Sequence, residues 1–143
     1  NVVNIFMPQA ISNDIQLKYS VDNEYEALFA SYPCDAIKLK QAITNLVKNA
    51  FEAVLPGNFI HIELKYLPPS DSSFAKLSIS ISNNGAPIPA DVQENIFMPF
   101  VSYKKGGSGI GLALVKKVVD MHYGSISLKS DDSLTVFTIL LPL

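Results

Sequence analysis

The strongest constraint on the fold is a change of hydrophobic period at Asp35. Downstream of that residue, apolar side chains recur at steps of three and four, as they do on one face of an α-helix. The residues with this spacing are Leu39, Ala42, Ile43, Leu46, Val47, Ala50, Phe51 and Val54. The pattern predicts an amphipathic helix with Asp35 as its N-cap, and this helix ends at Pro56 and Gly57.

The segments on either side of this helix alternate between apolar and polar residues, which is typical of half-buried strands. The predicted strands are 15–21, 25–31, 59–67, 75–82, 125–129 and 134–141, and two further helices are predicted at 90–96 and 109–123. This order predicts an α+β fold, a two-layer α/β sandwich in which helices cover one face of a mixed sheet. The 143 residues fit one domain, 1–143.

Composition disfavours several classes of protein. Hydrophobic residues make up 48% and charged residues 17%, which is too apolar for a disordered chain. The 11 Lys and Arg residues against 13 Asp and Glu give a net charge of −2, so we expect no nucleic-acid partner. No apolar run reaches the ~18–20 residues that span a bilayer, and no signal peptide opens the chain. We expect a cytoplasmic domain and, because Asn1 is not an initiator methionine, a part of a longer protein.

Cysteine and histidine usage disfavours a metal centre held mainly by protein side chains. Cys34 is the single cysteine, which rules out an intrachain disulfide. His61 and His122 do not have metalloprotease spacing. His61 falls in a predicted strand and His122 at the end of a predicted helix, so neither is assigned a catalytic role.

Asn45 and Asn49 are the first candidate functional pair. They lie one helical turn apart at the border of the apolar stripe, beside Glu52. Side-chain amides are costly to bury without hydrogen-bond partners, so the pair either meets a polar ligand or faces water. By itself, the spacing favours the solvated interpretation.

The residues after the fourth predicted strand turn away from the sheet. Asn84 and Gly85 would usually start a hairpin, but Pro87 and Pro89 cannot pair as a returning strand because proline has no N–H donor. The chain therefore leaves the sheet at a strand end, where ligand sites often form. An ordinary loop would also explain these residues.

Four of the seven glycines cluster immediately before the last predicted helix. They are Gly106, Gly107, Gly109 and Gly111, and they follow Lys104 and Lys105. Glycine lets backbone N–H groups approach an anion closely at a helix N-terminus, and the two lysines add positive charge. The spacing matches neither a Walker A loop nor a Rossmann fingerprint. A flexible linker would explain the glycines but not their position against an amphipathic helix.

Taken in order, these segments resemble the four nucleotide-binding boxes of the sensor histidine kinases. The matching segments are 45–53 for the N box, 83–88 for the G1 box, 96–100 for the F box and 107–115 for the G2 box. Gln41 and the closing strand around Thr138 also fit, and the resemblance covers the chain from about Asp35 to its end. It implies the Bergerat-type ATP-binding fold that these kinases share with gyrase, mismatch-repair and heat-shock chaperone ATPases.

The resemblance implies specific roles for individual residues. Asn49 corresponds to the Mg²⁺ ligand of the family, with Asn45 facing the phosphates and the metal. Lys48, Lys104 and Lys105 would assist at the phosphates, and residues 97–108 correspond to the ATP lid. Further nucleotide contacts are expected from Asn83, Gly85, Ile88, Gly107, Gly109, Ile110, Gly111, Leu112 and Thr138.

Two residues depart from the family's G1 box. The family has Asp, whose carboxylate accepts the adenine amino proton, where this chain has Asn83. An amide oxygen can accept the same hydrogen bond without the charge assistance, so we expect nucleotide binding that is weaker by about 1 kcal/mol. Pro87 replaces the second glycine and removes an N–H group.

The resemblance implies an ATP-dependent protein histidine kinase of a two-component system. Such a domain binds ATP and Mg²⁺ and donates the γ-phosphate to a histidine on a separate dimerisation domain of the same protein, upstream of a response regulator. No segment of this chain resembles that dimerisation domain. We therefore expect a monomeric catalytic domain, the cytoplasmic part of a membrane-anchored sensor. Phe97 and Phe100, beside Met98, are expected to be exposed and to contact the helical domain.

Two alternatives remain open. A degenerate, nucleotide-free docking module would explain Asn83 and Pro87, although it would not require the N and G2 boxes. A serine-directed anti-sigma-type kinase of the same fold would share the boxes. An ATP-hydrolysing relative is disfavoured, because such ATPases place glutamate where this chain has Asn45.

Overall fold

The computed structural model describes residues 2–22, 31–100 and 111–143. The helices of these residues are α1 (Val2–Ser12), α2 (Ala36–Ala53), α3 (Ala90–Gln93) and α4 (Gly111–Met121). The strands are β1 (Gln16–Val21), β2 (Phe59–Leu67), β3 (Lys76–Asn83), β4 (Ser125–Ser130) and β5 (Thr135–Pro142). Of the strand predicted at 25–31, only Ser31 is among them, and the first two residues of the helix predicted at 109–123 also lie outside them.

The five strands of these ranges form one mixed sheet in the order β1-β2-β3-β5-β4. Strand β1 runs parallel to β2, and the other neighbouring strands are antiparallel. The register places Ile81 beside Ile62 on one side and Phe137 on the other, so apolar side chains share one face of the sheet. Buried residues of the helices pack into the same core. The predicted two-layer sandwich is therefore confirmed.

Helix α2 forms as its pattern predicts. Asp35 has an extended backbone and its carboxylate accepts a hydrogen bond from the Lys38 N–H at 3.1 Å, which confirms the predicted N-cap. The buried residues of the helix are Ala42, Leu46, Val47 and Ala50, all of which belong to the predicted apolar stripe. Helix α4 covers the sheet beside it with Val115, Val118 and Val119.

Helix α1 lies in a segment for which the sequence pattern predicts no element. It contains Pro8, and an internal proline normally breaks a helix. Its buried face nevertheless packs on the core, and the ring of Phe6 stacks on Phe51 of α2 with 5.4 Å between ring centroids. Tertiary packing here outweighs the local signal.

The short helix predicted at 90–96 is wrong in length. Helix α3 covers Ala90–Gln93, and single turns continue the chain as far as Met98. Within the described ranges, none of the helices has the length and apolar content needed to cross a membrane.

Candidate functional site

Asn45 and Asn49 lie on one side of α2, in line with its last residue, Ala53. Positions four residues apart form one stripe along a helix, so the two amides and Ala53 follow one another towards the helix C-terminus. Both asparagines are half-buried. Neither side chain is fully exposed, and a role for the pair at a polar ligand stays a prediction.

The loop after β3 packs on the end of this stripe. The N–H of Ala86 donates a hydrogen bond to the Ala53 carbonyl oxygen at 3.0 Å. A Cβ atom added at Gly85 would collide with the same carbonyl group, so only glycine fits there. Packing against α2 thus explains Gly85, which the resemblance assigned to the nucleotide. The contact places the G1-like loop beside the two asparagines.

Asn83 ends β3 with its side chain in the core layer, 3% exposed. Its Oδ1 accepts a hydrogen bond from the Gly85 N–H at 2.9 Å. Only the oxygen of an amide can face an N–H donor, so this bond fixes which amide atom points which way. This oxygen was expected to accept a hydrogen bond from a base. In the structure it already accepts one from the backbone.

Ile88 is buried and tied to the hairpin of β4 and β5. Its N–H donates to the Ser130 hydroxyl at 2.9 Å, and that oxygen lies 2.7 Å from the Thr135 hydroxyl oxygen. Gln93 closes the loop by donating to the Ile88 carbonyl oxygen at 2.8 Å. Thr135 pairs with Asn83 across the sheet and is 3% exposed. A buried hydroxyl and a buried amide thus lie side by side at one end of the sheet.

Thr138, the threonine that the resemblance assigned to the nucleotide, lies elsewhere. It pairs with Ser80 and Ser127 and alternates with the buried Phe137 and Ile139, so its side chain is on the sheet face opposite the helices. The strand register instead brings Thr135 to the loop that follows Asn83. Sequence reasoning missed Thr135, Ser130 and Gln93, whose hydrogen bonds join segments far apart in the chain.

The described part of the glycine cluster is Gly111, the first residue of α4. A Cβ atom added there would meet no atom within 4 Å, so no packing within the described ranges requires glycine. Open space beside a glycine suits a close approach of its backbone by an anionic ligand. Leu112 is half-buried against the core. Lys104, Lys105, Gly107, Gly109 and Ile110 lie outside the described residues.

Lys48 and the aromatic residues of the expected site differ in their exposure. Lys48 is exposed, next to Asn49 in sequence but directed outwards. Phe97 is not exposed as expected, because its ring packs edge-on against Phe137 with 6.0 Å between centroids. Phe100 and Met98 are exposed, at 79% and 55%. The aromatic pair of the F-box-like segment is thus split between core and surface.

A groove of about 740 Å³ runs between this segment and the outer side of α4. Its lining includes Phe97, Pro99, Phe100, Leu114 and Met121. These side chains are mostly apolar, whereas the two asparagines and the loop after β3 lie at another part of the surface. The groove is therefore not the polar candidate site.

The donor set of the site fits Mg²⁺ held through few protein ligands. Among the described residues, no three His, Cys, Asp or Glu side chains cluster as a metal cage. Asparagine side-chain oxygens are hard donors of the kind that Mg²⁺ accepts, and Mg²⁺ usually completes its shell with phosphate oxygens and water. Half-buried Asn45 and Asn49 match that requirement.

Both histidines have structural surroundings. His61 lies on the outer sheet face with its Nε2 atom 2.9 Å from the Ser20 hydroxyl oxygen. His122 follows α4, where Nε2 accepts a hydrogen bond from the Asp35 N–H at 3.0 Å and Nδ1 lies 2.8 Å from the Val118 carbonyl oxygen. That neither histidine is catalytic stays a prediction.

Comparison with known proteins shows which proteins share this sequence and fold. Residues 34–143 match the family described as histidine kinase-, DNA gyrase B- and HSP90-like ATPases. The sensory histidine kinase/phosphatase NtrB of Rhodobacter capsulatus is 38% identical over 115 residues, which cover 76% of this chain and 32% of that protein. The chain therefore spans about a third of the length of the curated relatives that it matches.

Solved structures agree with the family match. The nucleotide-free catalytic domain of the histidine kinase ThkA superposes with a TM-score of 0.82 and 30% identity, over 99% of this chain and 87% of that one. ThkA in complex with the response regulator protein TrrA superposes with a TM-score of 0.76 and 28% identity, over 99% and 38% of the two chains. The similarity extends over the whole of the described fold.

Proposed function

Because the chain belongs to the histidine kinase-, DNA gyrase B- and HSP90-like ATPase family, we propose that it binds Mg²⁺–ATP and donates the γ-phosphate to a histidine on a separate dimerisation domain. The full protein would then act in two-component signal transduction. Within it, residues 1–143 would form a single catalytic domain that is not self-sufficient, because the phosphoacceptor belongs to another domain.

One observation carries the proposal. The loop after β3 packs on the last turn of α2 through Ala86 and Ala53, at the end of the stripe that holds Asn45 and Asn49. Two half-buried amides therefore border the same corner as the buried Asn83 and Thr135. Such a corner offers polar contacts for a base at one end and for phosphates and a cation at the other.

The amide oxygens of Asn45 and Asn49 would hold Mg²⁺ together with the phosphate oxygens. Mg²⁺, when bound, would neutralise charge that develops on the transferred phosphoryl group. Asparagine adds no negative charge of its own beside the polyanion, which suits a chain whose net charge of −2 provides no general attraction for phosphate. Local positive charge would come from Lys48, Lys104 and Lys105.

Phosphoryl transfer of this kind depends on positioning more than on covalent chemistry by the protein. The residues of this chain would orient the γ-phosphate, and the accepting imidazole would enter from the dimerisation domain. The open side of Gly111 at the start of α4 leaves room for phosphate oxygens to approach backbone N–H groups. Asn45 in place of a glutamate leaves no general base for water on that turn of α2.

Neither departure from the G1 box disrupts the loop that carries it. Asn83 is integrated into the core layer, and Pro87 is exposed beside the buried Ile88. The loop is also held by the Ser130 hydroxyl and the Ala53 carbonyl oxygen. No described feature therefore favours a nucleotide-free docking module over a nucleotide-binding domain.

The partners follow from the same proposal. The phosphoacceptor domain would belong to the same protein, and a response regulator would receive the phosphoryl group, as the ThkA–TrrA complex suggests by analogy. Since ATP and response regulators are cytoplasmic, the domain would face the cytoplasm. The full protein would be a membrane-anchored sensor whose cytoplasmic part includes this domain.

A transfer assay tests the proposal directly. The chain is mixed with the phosphoacceptor domain of its own full-length protein and ATP labelled at the γ-phosphate. We expect Mg²⁺-dependent label on the acceptor that is lost in acid and kept in base, the behaviour of phosphohistidine. Acid-stable label would instead indicate transfer to serine. Nucleotide binding without any transfer to that domain would contradict the kinase assignment.

A further inference from the structure

The most informative departure from the expected site is the direction of the Asn83 amide. Asn83 is only 3% exposed, and its side-chain oxygen accepts a hydrogen bond from the Gly85 N–H. Because a donor faces that atom, the assignment of oxygen and nitrogen does not depend on a choice between two amide flips. The NH₂ group must therefore point away from the loop.

The NH₂ group is also the unsatisfied end of this side chain. Within the described residues, the structure gives Nδ2 of Asn83 no hydrogen-bond partner. In the same residues, no fully buried side-chain nitrogen or oxygen atom lacks a partner, so Nδ2 is not sealed in the core without one. The NH₂ group is therefore the end of the amide that a ligand can meet, on a residue that pairs with Thr135 across the sheet.

We propose that the NH₂ group of Asn83 donates a hydrogen bond to the base, so that the site binds 6-oxopurine nucleotides at least as readily as adenine nucleotides. The inference rests on the proposed nucleotide site. A carboxylate at this position would offer one oxygen to the Gly85 N–H and the other to an exocyclic amino group. The amide offers the same first contact but turns a donor towards the base, where an amino group is the wrong partner and a keto oxygen the right one.

The neighbouring hydroxyls do not restore an acceptor at the Asn83 position. The Ser130 oxygen accepts from the Ile88 N–H and lies 2.7 Å from the Thr135 oxygen. Either hydroxyl can be the donor of that pair, so the Thr135 hydroxyl can rotate to suit either a donor or an acceptor on the ligand. Thr135 therefore tolerates both classes of base, and the choice between them falls to Asn83.

A ligand series on the unmodified chain separates the possibilities. Calorimetry measures Kd for the Mg²⁺ complexes of ADP, inosine diphosphate and the diphosphate of purine riboside, which has no substituent at position 6. The sugar and phosphates are the same in all three, so their contacts cancel in the comparison. We expect inosine diphosphate to bind about threefold to tenfold more tightly than ADP, the range of one neutral hydrogen bond. Loss of the 6-amino group in purine riboside should not weaken binding.

A charge-matched pair of variants assigns the effect to one side chain. Asn83→Asp should reverse the order, so that ADP binds more tightly than inosine diphosphate. Asn84→Asp adds the same charge one residue away, where the amide oxygen accepts from the Phe59 N–H at 2.8 Å, and should keep the order of the unmodified chain. The ligand series retains its value if Asn83→Asp does not fold, because it needs no variant.

The outcomes distinguish this inference from the proposed function. ADP binding that is tighter than that of inosine diphosphate would overturn the role proposed for Asn83 and leave the nucleotide site standing. An unchanged order in Asn83→Asp would do the same. Failure of all three ligands to bind at millimolar concentration would overturn the nucleotide site itself, and with it this inference.

Discussion

The backbone N–H of Asp35 donates a hydrogen bond to Nε2 of His122, 3.0 Å away, and so ties the first turn of α2 to the end of α4. Because Nε2 accepts from an N–H, the ring proton must sit on Nδ1, where it is donated to the Val118 carbonyl oxygen at 2.8 Å. The imidazole thus bridges two helices. One of these helices carries Asn45 and Asn49, and the other begins at Gly111.

Substitution of His122 by residues of different reach tests this bridge. The amide oxygen of glutamine can take the place of Nε2, whereas the shorter asparagine can reach only the Val118 carbonyl oxygen. We expect His122→Asn to weaken nucleotide binding about threefold to tenfold and to lower the melting temperature, because one hydrogen bond is lost. His122→Gln should retain most of both. Equal losses in the two variants would contradict a role for the Asp35 contact.

Gly85 and Gly111 offer a matched pair of glycine substitutions. A Cβ atom at Gly85 would collide with the Ala53 carbonyl group, so Gly85→Ala should destabilise the fold by about 1–3 kcal/mol. Gly111 has open space, so Gly111→Ala should leave the free energy of unfolding almost unchanged and reduce nucleotide affinity. Denaturant unfolding and calorimetry measure the two effects. A stable Gly85→Ala would show that the loop does not pack on α2 as described.

The two threonines of β5 differ in their expected effect. Thr135 is buried and bonded to Ser130, so Thr135→Val should cost about 0.5–1.5 kcal/mol of stability and weaken nucleotide binding. Thr138 lies on the opposite sheet face, and Thr138→Val should change the nucleotide Kd by less than about twofold. Calorimetry on both variants decides the point. A larger loss of affinity at Thr138 would contradict the strand register.

The difference between these threonines shows what the sequence pattern could and could not supply. Alternation predicted the strand, its ends to within a residue, and the mixed sheet. Side chains three positions apart in a strand face opposite sides, so a threonine chosen from the wrong end of the motif changes face. The motif contains both threonines, and only the pairing of β5 with β3 shows that Thr135 is the one beside Asn83.

Other features depend on contacts that no local pattern contains. The Ile88 N–H donates to the Ser130 hydroxyl, 42 positions away, and this contact holds the loop that follows Asn83. Helix α1 forms despite Pro8 because Phe6 stacks on Phe51, a residue 45 positions away. Asp35 and the stripe of α2, in contrast, were predictable because capping and helical periodicity are local.

The stability of the fold should depend on pH through Asp131, in the turn between β4 and β5. Hydrogen bonds from the Ser133 hydroxyl, and then from the Ser133 and Leu134 backbone N–H groups, lower the pKa of the Asp131 carboxyl group. A carboxyl group whose pKa is lower in the folded than in the unfolded chain stabilises the fold above the unfolded value of about 3.9. This contribution is lost as the pH falls through the folded pKa.

Nuclear magnetic resonance can follow that titration at the Asp131 side chain. We expect its midpoint to lie below the ordinary value for aspartate. Ser133→Ala removes the hydroxyl that is the largest cause of the shift and should move the midpoint upwards. An unchanged midpoint in Ser133→Ala would show that the hydroxyl does not bind the carboxylate in solution.

Thermal unfolding tests most directly whether the asparagine stripe of α2 binds a Mg²⁺–nucleotide complex. The chain is melted with and without Mg²⁺ and a non-hydrolysable ATP analogue, beside Asn49→Ala and the control Lys40→Gln, an exposed position on the opposite side of α2. At a ligand concentration near 100 times Kd, binding adds ~2.7 kcal/mol, or roughly 5–10 °C. We predict a Mg²⁺-dependent rise of this size that persists in Lys40→Gln and disappears in Asn49→Ala. No rise at millimolar nucleotide, or the same rise in Asn49→Ala, would contradict the claim.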